Sequence, residues 1–425
     1  AAALTARGMK KGDRLALYLP DVPESVFFLL ACSLIGVILV PIPNRFTPEI
    51  VSEIVRDCGA SMLVLSRSYG TKSYLNRSAA LLGLTGGIPV VKVGRNHAEG
   101  TIDFEKLVEE GSGGAQSSPV SVESEHPHFI LYANSASGIP RGSVFATGGF
   151  LVQAAMSFNS IFGSISEKGS GESVAVCVDF ASAAGLCLGL WGPLIAGCRL
   201  YICESGESAT KDMITHLLAQ DPAPSLLATP NIINEIRREI GDESPLPDRR
   251  FPLVALCGDI LTPRLVEYVG AHLASGPEHV VNMWIQSESG APLISTYPSK
   301  DLNRPGALGQ PFPGVEPRVI NHLGQECRPN ESGQLVFASS WPGMIRAIWN
   351  QQERFRELYF LRIPGYYHTN DGVRADNDGF FWFMGRLDDV IKVRGQSFAT
   401  SEIEAVIVAN SKVTESAVVY ASDEN

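Results

Sequence analysis

Short apolar runs alternate with stretches of helical character along most of this chain, and that rhythm restricts the possible folds more than any other feature. Residues 14–20 (RLALYLP) read as a strand. Asp21-Val22-Pro23-Glu24 then cap and start a helix, with the fixed φ of Pro23 suited to a first turn. Thr47-Pro48-Glu49 opens another helix, to Cys58, with Thr47 as its cap. A strand follows at 61–66 (SMLVLS), and further strands are predicted at 173–179, 200–203, 226–229, 253–257 and 280–284. Strands joined by helices pair in parallel, and parallel sheets are covered on both faces, so the fold class is α/β. The uncharged residues 26–43 approach the length of a membrane span, yet Gly36, Pro41 and Pro43 divide them into a buried helix and a short strand. Residues 180–198 are broken up in the same way by Gly185, Gly189, Gly192 and Pro193, so no spanning segment is expected. Residues 111–119 and 163–173 are rich in Gly and Ser and are predicted as exposed loops. Past Gly333 the strands shorten. Ser401-Glu402 starts a last helix, and a last strand is predicted at 416–420.

At 425 residues the chain can bury a large core and add a smaller unit. A net charge of -11 excludes nucleic-acid backbone binding as the main activity, because no basic stripe offsets the acid. The eight cysteines are scattered, without CxxC pairs or zinc spacing, and read as reduced core residues. No signal peptide opens the chain. Its first residues read as the tail of an amphipathic helix, so the natural protein is expected to begin further upstream. An intracellular location, cytoplasm or mitochondrion, is expected, with no targeting segment in view.

Four landmarks carry the chemistry. The first is residues 130–144 (ILYANSASGIPRGSV), an apolar strand entering a turn of small residues. Trp284-Ile285-Gln286-Ser287-Glu288-Ser289-Gly290 comes next, then residues 365–372 (GYYHTNDG), then 385–395 (GRLDDVIKVRG). In this order and spacing they resemble the adenylate-forming superfamily of acyl-CoA synthetases, adenylation domains and luciferases. Residues 339–360 (SSWPGMIRAIWNQQERFRELYF) narrow the resemblance to AMP-forming acetyl-CoA synthetases.

The resemblance implies a large N-terminal domain, residues 1–386, with helix-covered parallel sheets and a small barrel-like part. Residues 387–425 would be the hinge and the beginning of a small α+β C-terminal domain whose remainder is absent from this chain. It implies activation of a carboxylate with Mg-ATP to an acyl-adenylate, then transfer to coenzyme A. On that pattern Asp371 holds the ribose and Arg386 faces the nucleotide. Gln286, Ser287 and Glu288 line the phosphate and metal side, with Glu288 the magnesium ligand. Gly258-Asp259-Ile260 takes the place of the adenine turn, and Ser137 and Gly138 remain from the phosphate loop. Arg141 is its surviving cation, and Arg141 and Arg386 are the remaining catalytic candidates. Ala183, Ala184, Cys257 and Ile285 line the acyl pocket, where Ile285 replaces a bulky tryptophan and so implies an acid larger than acetate. Lys72 is the retained coenzyme A cation and Asp388 the hinge. The family's C-terminal catalytic lysine has no counterpart in this chain.

Other positions depart from the pattern. Ser135 replaces a glycine, Ala136 loses a hydroxyl and Ile139 replaces a lysine, while Ser397 stands where an arginine faces the phosphates. The loop losses together amount to roughly 3–5 kcal/mol of phosphate contact, discounting non-additivity. A catalytically impaired pseudoenzyme, acting as a subunit or scaffold with protein partners, is therefore the leading expectation. Two readings stay open beside it: a working short- or medium-chain acyl-CoA ligase using Mg-ATP and CoA, and a sensor that binds AMP or an adenylate without making it.

Overall fold

The computed structural model describes the chain apart from residues 67, 70, 71, 74–79, 82, 85, 95–99, 114–117, 134–139, 167–172, 205–210, 241–247, 388, 389, 394, 395, 409–412, 414, 415 and 420–425. At 68, 69, 72, 73, 164–166, 390–393, 396–399, 401, 402, 405 and 408 it describes the backbone.

The alternation of strand and helix builds two mainly parallel sheets. The first has the order Ala347–Ile348, Arg141–Ala146, Pro127–Ala133, Ile38–Pro41, Arg14–Tyr18, Met62–Ser66, Val90–Val93, Ile102–Asp103. The second runs Arg199–Ile202, Ser173–Cys177, Ser225–Ala228, Val254–Cys257, Val280–Trp284, then the short antiparallel strands Ile294–Ser295 and Gln310–Pro311. One core joins them: Leu15, Leu39 and Phe129 from the first sheet and Val176, Ala255 and Val281 from the second share it with Phe28, Phe158 and Leu188 from the covering helices. Each such valine, leucine or phenylalanine contributes about 1.5–3 kcal/mol on leaving water, which holds the two sheets together.

The third sheet is antiparallel, Pro317–Ile320, Ser332–Phe337, Tyr367–Ala375 and Phe381–Arg386. The hairpin Val390–Val393 with Gln396–Ala399 and the helix Thr400–Val408 follow it.

The helix Pro23–Ile35 and strand Ile38–Pro41 divide the long apolar segment as expected, and Gly36 ends the helix at φ 69°. Among the described residues no helix is long and apolar enough to cross a membrane. Four expectations need correction. Asp21 is not a helix cap: Val22 holds that position, and the buried Asp21 carboxylate accepts the Phe180 N–H at 3.0 Å. The sheet-joining contact outweighs the local one because both groups are cut off from water there. Thr47 stands at the N-cap but its side chain makes no cap hydrogen bond. The segments predicted as loops begin inside helices, since Phe104–Ser112 includes Gly111 and Thr147–Ser166 includes Gly163. Residues 416–419 form no strand; Val418 N–H instead donates to Glu404 at 2.8 Å.

Candidate active site

Parallel sheets leave a crevice beyond the carboxyl ends of their strands, where turns carry side chains over exposed backbone groups. Here Val254–Cys257 leads into Gly258-Asp259-Ile260, and Val280–Trp284 leads into Ile285-Gln286-Ser287-Glu288. Both turns line one cleft of about 1190 Å³. Gly258 adopts φ 94°, a conformation that a Cβ would strain. The second turn is pinned at both ends: Ser289 Oγ accepts from Gln286 N–H at 3.1 Å, and Trp341 Nε1 donates to the Ser289 carbonyl at 2.8 Å. Gly290 closes it where a side chain would run into the Gly343 carbonyl oxygen.

The third sheet forms the opposite wall. Asp371 and Arg386 face each other across the antiparallel pair, which brings Arg386 Nη1 to 3.8 Å from Asp371 Oδ1. The other carboxylate oxygen, Oδ2, accepts from Trp284 Nε1 at 2.8 Å and from Gln286 Nε2 at 3.0 Å. Gln286 Nε2 also donates to the Thr369 carbonyl at 2.8 Å. A buried carboxylate tied to donors from the facing sheet is thus held at a fixed angle to the cleft. Asn370, just before it, takes the left-handed conformation (φ 68°) that asparagine tolerates better than most residues.

The helix Gln352–Tyr359 supplies a residue with no local signature in the sequence. Tyr359 donates its hydroxyl to Glu288 Oε1 at 3.0 Å, and its ring stacks on Tyr367 at 5.1 Å between centroids. Burial, and then the charge of Glu288, push the Tyr359 phenol well above its ordinary range, so it remains a donor. Tyr359→Phe removes a hydrogen bond to a charged acceptor, and a loss of about 1.5–3 kcal/mol is expected. Denaturant unfolding of the two proteins measures it, and coincident curves would mean that the bond adds nothing.

Arg141, Arg386, Gly258, Asp259, Ile260, Ile285, Gln286, Ser287, Glu288 and Asp371 all line this cleft. Ala183, Ala184 and Cys257 lie buried in the core shared by the two sheets and are not among the lining residues. Ser137, Gly138 and Asp388 lie outside the described residues, as do the departures Ser135, Ala136 and Ile139; Lys72 and Ser397 are described by backbone alone.

Sequence reasoning passed over Trp284, Tyr359, Arg45, Arg362, His368 and Asn282, which share the cleft. Trp284 ends an apolar strand immediately before a polar turn, and that signal was available. Asn282 donates through Nδ2 to the Ala307 carbonyl at 2.8 Å, an orientation that leaves its amide oxygen as the remaining polar atom. His368 is buried with Nε2 unpartnered, and burial followed by the nearby Arg362 charge lowers its pKa.

Chemically, the cleft offers a fixed carboxylate acceptor, arginines suited to phosphate, one further carboxylate at Glu288 and an apolar wall from Ile285, Leu308 and Phe383. A concave site that sets a buried carboxylate beside arginines at the carboxyl ends of parallel strands is a ligand-binding crevice of an α/β fold. The AMP-binding enzyme model matches residues 1–349, and the chain belongs to that family.

The chain is 31% identical to acetyl-coenzyme A synthetase from Parvibaculum lavamentivorans and 32% identical to that from Novosphingobium aromaticivorans, over 98% of its own length in each case. It spans 65% of the length of these relatives. Among solved structures it resembles the anthranilate CoA ligase AuaEII in complex with anthranoyl-AMP, with a TM-score of 0.81 at 20% identity, over 97% of this chain and 76% of that one. The adenylate-forming fold is thereby shown.

Proposed function

We propose that this acetyl-CoA synthetase-like chain binds an adenine nucleotide in the cleft and is impaired in forming the acyl-adenylate, acting as a binding subunit of a larger assembly. The observation that carries the nucleotide half is Asp371, held by Trp284 and Gln286 opposite Arg386. A carboxylate so placed can accept from two vicinal ribose hydroxyls. Arg386 and Arg141 would face the phosphate, and the Asn282 amide oxygen suits an amino group on the base. The residues also fit magnesium in a limited way, since Glu288 is a single carboxylate of the kind that holds Mg²⁺ together with substrate phosphates. The impaired half rests on Ser135, Ala136, Ile139 and Ser397, which remove cations and backbone freedom from the triphosphate side. On this reading the hinge and the small C-terminal unit begin at residue 387.

A specific observation favours a second reading, a working AMP-forming ligase for an acid larger than acetate. Ile285, which the resemblance sets in place of a bulky tryptophan, lines the cleft, and four arginines line it as well. The structural relative AuaEII was solved with anthranoyl-AMP, an acyl-adenylate with an aromatic acyl group, which supports this reading.

Calorimetric titration with AMP and with Mg-ATP separates the readings. The proposal expects AMP to bind and Mg-ATP to gain little or nothing from its two further phosphates. Tight Mg-ATP binding, with pyrophosphate released on adding a longer acid, would establish the ligase instead. Silence for both nucleotides would remove the nucleotide half of the proposal.

A further inference from the structure

A second cluster of reactive side chains lies away from the cleft lining. The strands Ser173–Cys177 and Arg199–Ile202 pair in parallel with Val176 opposite Ile202. The register carries on for one residue, because the Cys203 N–H donates to the Val176 carbonyl at 3.1 Å. Cys177 and Cys203 are therefore lateral neighbours. Both side chains are buried in the same core on the same face of the sheet, packed with Ala175, Leu226 and Ala228. Lateral neighbours on adjacent strands fall within the Cα separation that a disulfide spans, about 4.4–6.8 Å.

The Cys203 thiol and burial push the Cys177 thiol up, so the pair is slow to form a thiolate. Glu204, next in the chain, is exposed, so the pair lies one residue from solvent.

We propose that Cys177 and Cys203 are a redox-modification site, a thiol pair that a peroxide converts to a disulfide. In the first step one thiol, as its thiolate, attacks a peroxide oxygen. The O–O bond breaks, giving a sulfenic acid and hydroxide, which takes up the proton the thiol released and becomes water. In the second step the other thiol attacks the sulfenic sulfur, forming the S–S bond and expelling a second water. Two thiols and one peroxide become one disulfide and two waters, and the peroxide is the oxidant. The bond would tie together the edges of two strands just before Asp179 and the segment containing Ala183 and Ala184.

The test treats the chain with hydrogen peroxide, blocks remaining thiols with an alkylating agent in denaturant and maps the peptides without reduction. The expected product is a linked peptide pair containing Cys177 and Cys203, short of two hydrogens and separated by reductant. Cys203→Ser should abolish it. Circular dichroism identifies a variant that has failed to fold; should Cys203→Ser not fold, Cys177→Ser is the second variant, and the rate of linkage in the unmodified chain should rise with pH as the thiolate forms. The proposal is overturned if Cys177 and Cys203 are both recovered alkylated while the less buried Cys198 and Cys327 are oxidised.

Discussion

Replacing Asp371 with alanine is expected to weaken AMP binding about a hundredfold or more and, separately, to destabilise the fold by about 1–3 kcal/mol. The two effects have different causes. Accepting from ribose hydroxyls is charge-assisted hydrogen bonding, at about 1.5–3 kcal/mol for each bond. The loss of stability comes from what the carboxylate already does without a nucleotide: the Trp284 indole N–H and one Gln286 amide contact lose their acceptor inside the protein. The neighbouring Arg386 side chain is 46% exposed, so water screens its share and it adds little to the destabilisation.

Trp284→Phe separates these causes. It deletes a donor and leaves the carboxylate in place, so AMP binding should fall far less than with Asp371→Ala. The paired measurements are calorimetric titration with AMP and denaturant unfolding. An Asp371→Ala protein that binds AMP as tightly as the parent, yet unfolds earlier, would make Asp371 a structural residue only.

How far this site could be read from sequence depends on where each residue gets its position. Gly258, Gln286, Ser287 and Glu288 sit at the ends of predicted parallel strands, and strand ends are where such sheets bind ligands, so motif and topology agree. Asp371 and Arg386 were legible through their local motifs, though their direct pairing needed the register of an antiparallel sheet. Tyr359 was not legible. It reaches Glu288 from 71 residues away, on a helix whose sequence gives no sign of the contact. Asp21 shows the opposite failure. Its sequence neighbours suit a helix cap, but tertiary structure offered the buried Phe180 N–H and the local pattern lost. The alternation of strand and helix was legible almost throughout, because it comes from burial on both faces of a parallel sheet rather than from a single contact.

Acid is expected to destabilise this fold through His128, and the sign follows from its burial. His128 lies in the strand Pro127–Ala133, 5.0 Å from the Trp191 ring and 5.6 Å from the Phe129 ring between centroids. Burial, followed by the charge of His126, lowers its pKa to about 4. An unfolded histidine titrates near 6.5. Between about pH 6.5 and pH 4 the unfolded chain therefore takes up a proton that the folded chain refuses. Stability is present in full above this window and falls as the pH descends through it, levelling off below pH 4. The full difference is worth about 3 kcal/mol. Other groups also titrate in this range, so the informative quantity is the difference between the parent and His128→Leu. The variant has no proton to gain at this position, and its unfolding free energy should decline less steeply between pH 6.5 and pH 4, closing on the parent by about 3 kcal/mol. Parallel slopes would mean that His128 admits its proton in the folded state, and that the aromatic cluster around it opens to water in acid.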